Sequence, residues 1–311
     1  MTVFALILAI VAGFAAQRGS ICAVAAVREL VIDRKAQRYV AFFECAAWSL
    51  ALLTAARAFG ISPSAAPQDY APGLIVAFGG ALFGAGAFLN GACTFGSAAR
   101  LGRGEVAFAA MPAGFVLGVM MAAQLAQAPS PRALTGDPAS SDIAVMGLVF
   151  FVGFQLFRLS DAVSGPRDAI ARLAEPVWRP SLAMGVIGLT SALLMIFFAP
   201  WPYSKLLTDL GVSAGSDQAL LKIALAIAFV VGAAIGAHTR GVFKFVAPSP
   251  RDAAEKAAAG ALMGAGSYFA QGGNDSMVLV GLPHFFVYAV IAYLSMTATI
   301  AAIVFVAVRP R

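Results

Sequence analysis

Two cysteines stand where a chain could do chemistry. In "QRGSICAVAAVREL" Cys22 follows Gly19 by three residues, and in "NGACTFGSAAR" Cys93 follows Gly91 by two. Each opens a short run of small residues that closes on an arginine, Arg28 or Arg100. A glycine there breaks the preceding helix, and Ser20 or Thr94 can take up free N–H groups where the next helix begins. A thiol near such a start meets partial positive charge and spare N–H donors, a setting that holds an anion without a buried formal charge. The same setting can activate a thiol, so each cysteine is either a nucleophile or a hydrogen-bond donor. Cys45, in "FFECAAW", lies inside an uninterrupted apolar run and reads as a small hydrophobe filling space.

The elements that must position these residues are membrane helices. Of 311 residues 60% are hydrophobic and 12% charged, and the apolar ones gather in blocks of about 20, the length a helix needs to cross a bilayer. Continuous blocks exclude a soluble two-domain protein and speak against a β-barrel, whose strands alternate. Thirty-one glycines suit helices packed backbone to backbone in lipid. The expected fold is an all-α integral membrane protein, one polytopic domain over 1–311. It has nine apolar segments, at about 1–17, 39–59, 72–90, 106–127, 142–158, 181–199, 219–237, 257–272 and 284–306. The first, fifth and eighth are short, which suggests half-spanning or re-entrant helices. Irregular backbone at membrane depth survives only against protein or a water-filled cavity, so broken segments point to a pore. The connections at 128–141, 159–180 and 200–218 carry Pro, Ser and Asp and read as surface loops.

The net charge of +6 is a matter of topology and not of nucleic-acid binding. Most Lys and Arg follow the first, third, fifth and seventh segments or lie in the tail. That asymmetry puts the N-terminus outside and the C-terminus in the cytoplasm of a bacterial inner membrane. Residues 1–17 read as a retained helix, because no positive charge precedes them.

An internal repeat orders the segments. "GALFGAG" at 80–86 returns as "GALMGAG" at 260–266, and a polar, glycine-containing break follows each, "FLNGACTFGS" and "YFAQGGNDS". The two copies run in opposite directions by this topology, the mark of an inverted repeat with its substrate site between the halves. The first half spans about 1–127 and the second about 142–306. A weaker echo joins "QRGSIC" at 17–22 to "TRGVFK" at 239–244. Asn274 lines a cavity on this reading, whereas Asp275 either lines it or is exposed in the outer loop. Glu44 is open between an interfacial ion pair and a transport role. His238 and His284 read as interfacial polar residues, and three cysteines without CxxC spacing make neither a zinc site nor a disulfide framework. No P-loop, HExxH or GxSxG stretch is present, and neither a metal nor another cofactor is expected.

The stretches "GFAAQRGSICAVAAVREL" and "GGALFGAGAFLNGACTFGSAARLGRGE" resemble the two signature regions of the YeeE/YedE family of sulfur transporters, which includes thiosulfate uptake proteins. The resemblance implies an hourglass of inverted halves whose short helices point to a central, cysteine-lined constriction. By motif it places the family's cysteines on Cys22 and on Cys93, the latter in a turn with Gly91. Thiosulfate members carry a further cysteine in the second half; here the aligned position is Gly273, and no cysteine follows Cys93. The expected substrate path is therefore Cys22, Gly91, Cys93, Thr94, Gly273 and Asn274. The expected activity is transport of a small sulfur-containing anion, thiosulfate first, with lipid around the helices and a cytoplasmic sulfur-carrier protein as a partner. Two other readings stay open: a membrane thiol enzyme or electron-transfer component working at the same cysteines, and a structural membrane subunit.

Overall fold

Small residues decide how these helices meet. Lipid is as apolar as a leucine side chain, so helices in it associate through close packing, which glycine permits. The computed structural model describes residues 2–61, 63–64, 67–133, 142–162, 171–198, 201–212 and 219–308. In chain order its helices are α1 Thr2–Arg18, α2 Ala23–Arg28, α3 Gln37–Ala58, α4 Leu74–Asn90, α5 Thr94–Gly102 and α6 Ala110–Leu125. There follow α7 Asp142–Ala162, α8 Pro180–Phe197, α9 Tyr203–Val212, α10 Ala219–Thr239, α11 Pro250–Ala270, α12 Asn274–Ser276 and α13 Val287–Val308. A π-helical turn continues α2 through Glu29–Asp33 and another continues α12 through Met277–Gly281. Two short strands, β1 Asp69–Tyr70 and β2 Pro131–Arg132, pair antiparallel between loops.

Among the described residues seven helical stretches are long and apolar enough to cross a membrane, which makes the chain a multi-pass membrane protein. They are Thr2–Asp33, Gln37–Ala58, Leu74–Gly102, Val106–Leu125, Pro180–Phe197, Ala219–Thr239 and Val287–Ala307. The other two expected segments are helical as well. α7 includes an apolar stretch over Val145–Gln155. α11 is a 21-residue helix that opens on Arg251, Asp252, Glu255 and Lys256, charges that hid its first two turns from an apolar pattern.

Four pairings build the bundle: α1 on α10, α3 on α8, α4 on α13 and α6 on α11, with α4 and α11 packed on each other at the centre. The two GALxGAG stretches make that central crossing. A methyl group placed on Gly266 would lie 2.3 Å from the Phe83 nitrogen and 2.7 Å from the Gly79 oxygen. On Gly86 it would lie 2.7 Å from the Met263 nitrogen and 2.9 Å from the Ala259 oxygen. Gly79 thus faces Gly266 and Gly86 faces Ala259, so the helices run antiparallel. The outer glycines of each copy serve the flanking helix: Gly80 and Gly84 meet Ala292 and Met296 of α13, and Gly260 and Gly264 meet Met111 and Phe115 of α6.

The basic connections gather at one end of the bundle. Arg18 donates to the Ala174 and Glu175 carbonyls, and Arg240 to the Gln17 carbonyl and Ser20 Oγ. Lys244 N–H donates to the Arg103 carbonyl and Val246 N–H to Gly104. At 201–212 the expected surface loop is instead α9, whose Ser204, Leu206, Leu207 and Thr208 are buried. Its polar side chains are consumed by partners distant in sequence, which a local pattern does not reveal.

The glycine packing predicts a sharp positional contrast. Gly264→Val puts a carbon about where the Phe115 oxygen lies, 1.9 Å from an ideal Cβ. It should destabilise the detergent-solubilised protein by about 3 kcal/mol or more. Gly147→Val on α7, with nothing within 4 Å of the new carbon, should stay within about 0.5 kcal/mol for packing alone. Equal melting temperatures for the two variants would contradict the crossing.

Candidate functional site

Breaks in long helices bring the sequence-predicted residues together. After α1 the chain turns through Gly19, Ser20 and Ile21, with Gly19 N–H bonded to the Ala15 carbonyl at 2.8 Å and Ile21 N–H to Ala16 at 3.0 Å. Ser20 takes a left-handed conformation with φ of 50°. After α4 the left-handed residue is Gly91, φ 74°, a value that suits glycine because it lacks a Cβ. Cys22 and Cys93 then stand in extended backbone as the residues preceding α2 and α5.

The capping expectation is corrected at both breaks. No side chain caps α2 or α5. Ser20 Oγ instead accepts from Arg240 at 3.0 Å, and Thr94, the first residue of α5, turns its hydroxyl away from its own helix. The orphan N–H group of Ala23 goes to a thiol: it donates to Cys93 Sγ at 3.3 Å, across from one broken helix to the other. The Cys22 and Cys93 side chains are neighbours across this junction. Gly96 makes room for this, since a methyl group there would lie 2.9 Å from Cys22 Sγ. Cys93 is fully buried and Cys22 partly so.

A third break follows α11, where Gln271 and Gly272 are left-handed and Gly273 is extended. Gly273 N–H donates to Ser204 Oγ at 2.8 Å, and Ser204 Oγ lies 3.0 Å from Ser276 Oγ. Asn274 and Asp275 are both fully buried, which decides the open reading of Asp275 against an exposed loop. Thr94 Oγ1 lies 2.9 Å from Asn274 Oδ1 and 3.0 Å from Asp275 Oδ1, while Asp275 Oδ2 accepts from Ser204 N–H at 2.8 Å. One threonine thus joins the thiol-bearing break to the polar one. Asn274 Nδ2 is buried with no partner among the described residues.

The sequence reading missed the supports. Asn90 Nδ2 donates to the Ala92 carbonyl and to Ser97 Oγ, both at 2.7 Å, and Ser97 Oγ donates to the Cys93 carbonyl at 2.9 Å. Lys256 Nζ reaches the Asn90 carbonyl at 2.6 Å. The available signal was Asn90 itself, a polar residue closing an apolar helix. Ser204 carried no signal, because its segment looked like a loop.

Other candidates fall elsewhere. Cys45 is fully buried within α3, with its carbonyl against Gly188 of α8, as a space-filling residue would be. Glu44 on the same helix is also buried. His238 stacks on Phe243 at the exposed end of α10. His284 is buried, with Nδ1 2.7 Å from the Val280 carbonyl and its ring stacked on Phe286. Among the described residues no cluster of His, Cys, Asp and Glu could hold a metal ion.

Long apolar helices broken around buried thiols and hydroxyls define a polytopic membrane protein with polar groups held in its interior. The family model described as sulphur transport matches residues 18–302, and the chain belongs to this YeeE/YedE family of sulfur transporters. A search of the curated proteins finds no match.

The Thr94 bridge has a measurable cost. Thr94→Val removes the hydroxyl shared by Asn274 Oδ1 and Asp275 Oδ1 and should lower stability by about 2 kcal/mol in a detergent melt. Thr94→Ser keeps the hydroxyl and should recover most of it. A valine variant as stable as the native protein would show that the bridge is not formed.

Proposed function

We propose that the protein takes up thiosulfate, or a closely related sulfur oxyanion, across the bacterial inner membrane through a constriction between Cys22 and Cys93 on one side and Gly273 and Asn274 on the other. The observation that carries this reading is the meeting of two thiols at the junction of two broken membrane helices, fed by N–H donors. Thiosulfate is a dianion with a soft terminal sulfur. S–H groups donate weakly, so a pair of them can desolvate it in part and still release it. A channel or carrier needs that balance.

The architecture proposed around it is an inverted repeat with an hourglass-shaped interior, split at about 1–127 and 142–306. The reciprocal contacts support it: exchanging each residue of the Gly79–Gly266 contact for its counterpart in the other copy yields the Ala259–Gly86 contact. Gly84 against Met296 of α13 and Gly264 against Phe115 of α6 are likewise matching contacts of the two copies with their flanking helices. It also pairs Cys93 with Gly273 and α5 with α12, so α2 and α5 act as re-entrant helices of one half and α9 and α12 of the other. On this reading α7 and α11 cross as well, giving nine crossings, with the N-terminus outside. The clustered basic loops then lie in the cytoplasm, where they offer a docking face for an acidic sulfur-carrier protein.

The proximity of the two thiols also favours a second reading, in which a cysteine thiolate attacks the terminal sulfur of thiosulfate and forms a persulfide as the S–S bond breaks and sulfite leaves. Mass spectrometry of the intact protein after turnover separates the readings, because persulfidation adds one sulfur atom and transport adds nothing.

In proteoliposomes, uptake of labelled thiosulfate should fall roughly tenfold or more in Cys22→Ala and Cys93→Ala, about the value of one hydrogen bond to a charged group. Cys45→Ala should stay within about twofold, since it touches no polar partner whose loss would cost binding. Sulfite and sulfate serve as competitors that rank the site's preference. Unchanged uptake in both site variants would sink the thiol constriction.

A further inference from the structure

The Asn274–Thr94–Asp275 cluster holds three oxygens and two close contacts, and the hydrogens do not suffice if Asp275 is ionised. Thr94 Oγ1 has one hydrogen and lies within hydrogen-bond distance of two acceptors, Asn274 Oδ1 at 2.9 Å and Asp275 Oδ1 at 3.0 Å. Donating it to Asn274 leaves the Thr94–Asp275 contact without a hydrogen between two oxygens. A neutral Asp275 supplies the missing one from Oδ1, and its Oδ2 remains the acceptor for Ser204 N–H at 2.8 Å. Turning the Asn274 amide over would satisfy an ionised Asp275, but it would also replace the unpartnered buried Nδ2 donor with an unpartnered acceptor on an anion's path.

The surroundings agree. Asp275 is fully buried, and among the described residues no Lys, Arg or His lies within ion-pair distance of it. A buried carboxylate without a cation is strongly disfavoured. The titratable groups on the elements packed around α12 and its π-helical turn are Tyr203, Lys205 and Asp209 of α9, Cys93 before α5 and Arg100 on it, Arg38, Tyr39, Glu44, Cys45 and Arg57 of α3, and Tyr288 and Tyr293 of α13, with His284 just beyond the turn. Lys205 pairs with Asp209 at 2.9 Å, Arg100 lies 3.6 Å from Glu105 and Arg38 3.3 Å from Glu29, and no cation among the described residues pairs with Asp275.

We propose that Asp275 is a proton-binding site that couples inward movement of the anion to inward movement of a proton. The inference rests on the transport reading above. A carboxylate one threonine away from Cys93 would repel a dianion, whereas a neutral carboxyl beside the free Asn274 Nδ2 donor admits it. The cycle balances: a proton from the outer water forms the Asp275 O–H bond, the anion passes, and that bond breaks to release the proton to the cytoplasmic water. The pH dependence has a fixed sign. Uptake is supported while outer pH keeps Asp275 protonated and declines as outer pH rises and the carboxylate forms.

The test uses the full chain in proteoliposomes with a pH-sensitive dye trapped inside. With a thiosulfate gradient and no initial pH gradient, the native protein should acidify the lumen in step with labelled thiosulfate, and an acidic exterior should raise uptake severalfold. Asp275→Asn, which keeps the neutral shape, should move thiosulfate down its gradient without acidification and without response to pH. Native thiosulfate flux with no lumen acidification would overturn the coupling, and so would an asparagine variant still driven by the pH gradient. Absence of any thiosulfate flux would defeat the substrate reading instead. Infrared spectroscopy then tests the proton site by itself: a buried protonated-carboxyl band in the native protein that Asp275→Asn removes supports it, and the lack of such a band overturns it.

Discussion

A helix interrupted inside a bilayer survives only if the backbone groups it frees are bonded by protein, because hydrocarbon offers nothing. Each break here meets that condition in its own way. The first folds its N–H groups back onto the carbonyls of α1, with Arg240 closing over Gln17 and Ser20. The second uses Asn90 and Ser97 to hold the carbonyls of Ala92 and Cys93. The third sends Gly273 N–H to a serine on α9. Because the helix ends borrow partners from one another, the breaks cannot be placed independently. Ala23 needs Cys93, and Asn274 and Asp275 need Thr94. The obligation to satisfy backbone and buried polar groups is what draws the chemistry-bearing residues together.

That obligation could operate only because the long helices approach closely enough. Gly13, Gly114, Gly118, Gly232 and Gly264 each leave no space for a side-chain carbon, with a facing carbonyl oxygen at 1.9 Å from where one would stand. The central α4–α11 crossing then positions the ends of both helices, and the short helices that follow them, across from each other. A bulky residue in either GALxGAG stretch would separate the helices that aim the second and third breaks. Packing of the spans and assembly of the site are therefore one problem.

Much of this was legible in the sequence where the signal is local. Apolar blocks gave the spans, glycine before cysteine gave two of the breaks, and the recurrence of GALxGAG picked out the two helices that cross. What escaped is non-local. α9 reads as a loop because Pro202 precedes it and its Ser204, Lys205, Thr208 and Asp209 are polar; Lys205 and Asp209 pair within the helix, but the burial of Ser204 and Thr208 becomes visible only beside α12 and α11. Ser20 and Thr94 were expected to cap helices because serine and threonine usually do so. A stronger demand redirected them, an unpaired guanidinium in one case and two buried carbonyl-type oxygens in the other. The stretches at 17–22 and 239–244 touch, through Arg240 and Ser20.

On the proposed inverted-repeat reading the two halves are furnished differently, and the difference bears on how a dianion could cross. The first half offers soft, weakly donating thiols; its counterpart offers hydroxyls, an amide and a carboxyl. A second-half cysteine at the place of Gly273 would extend the thiol path, but a side chain there has no room, since its first carbon would meet Phe83 and Ser204 at 2.7 Å. The obstacles are the ring of Phe83 on α4 and the side chain of Ser204 on α9, so a side chain at 273 would require those two to shift. The proposed path must then pass from sulfur donors to nitrogen and oxygen donors within a few residues. Harder donors hold the oxyanion end of thiosulfate better than its terminal sulfur. A neutral carboxyl beside them adds a donor only while protonated, and such a group offsets the stronger grip by withdrawing it when the proton leaves. On the proposed path the thiols release the substrate because they bind it weakly, and Asp275 releases it by losing a proton.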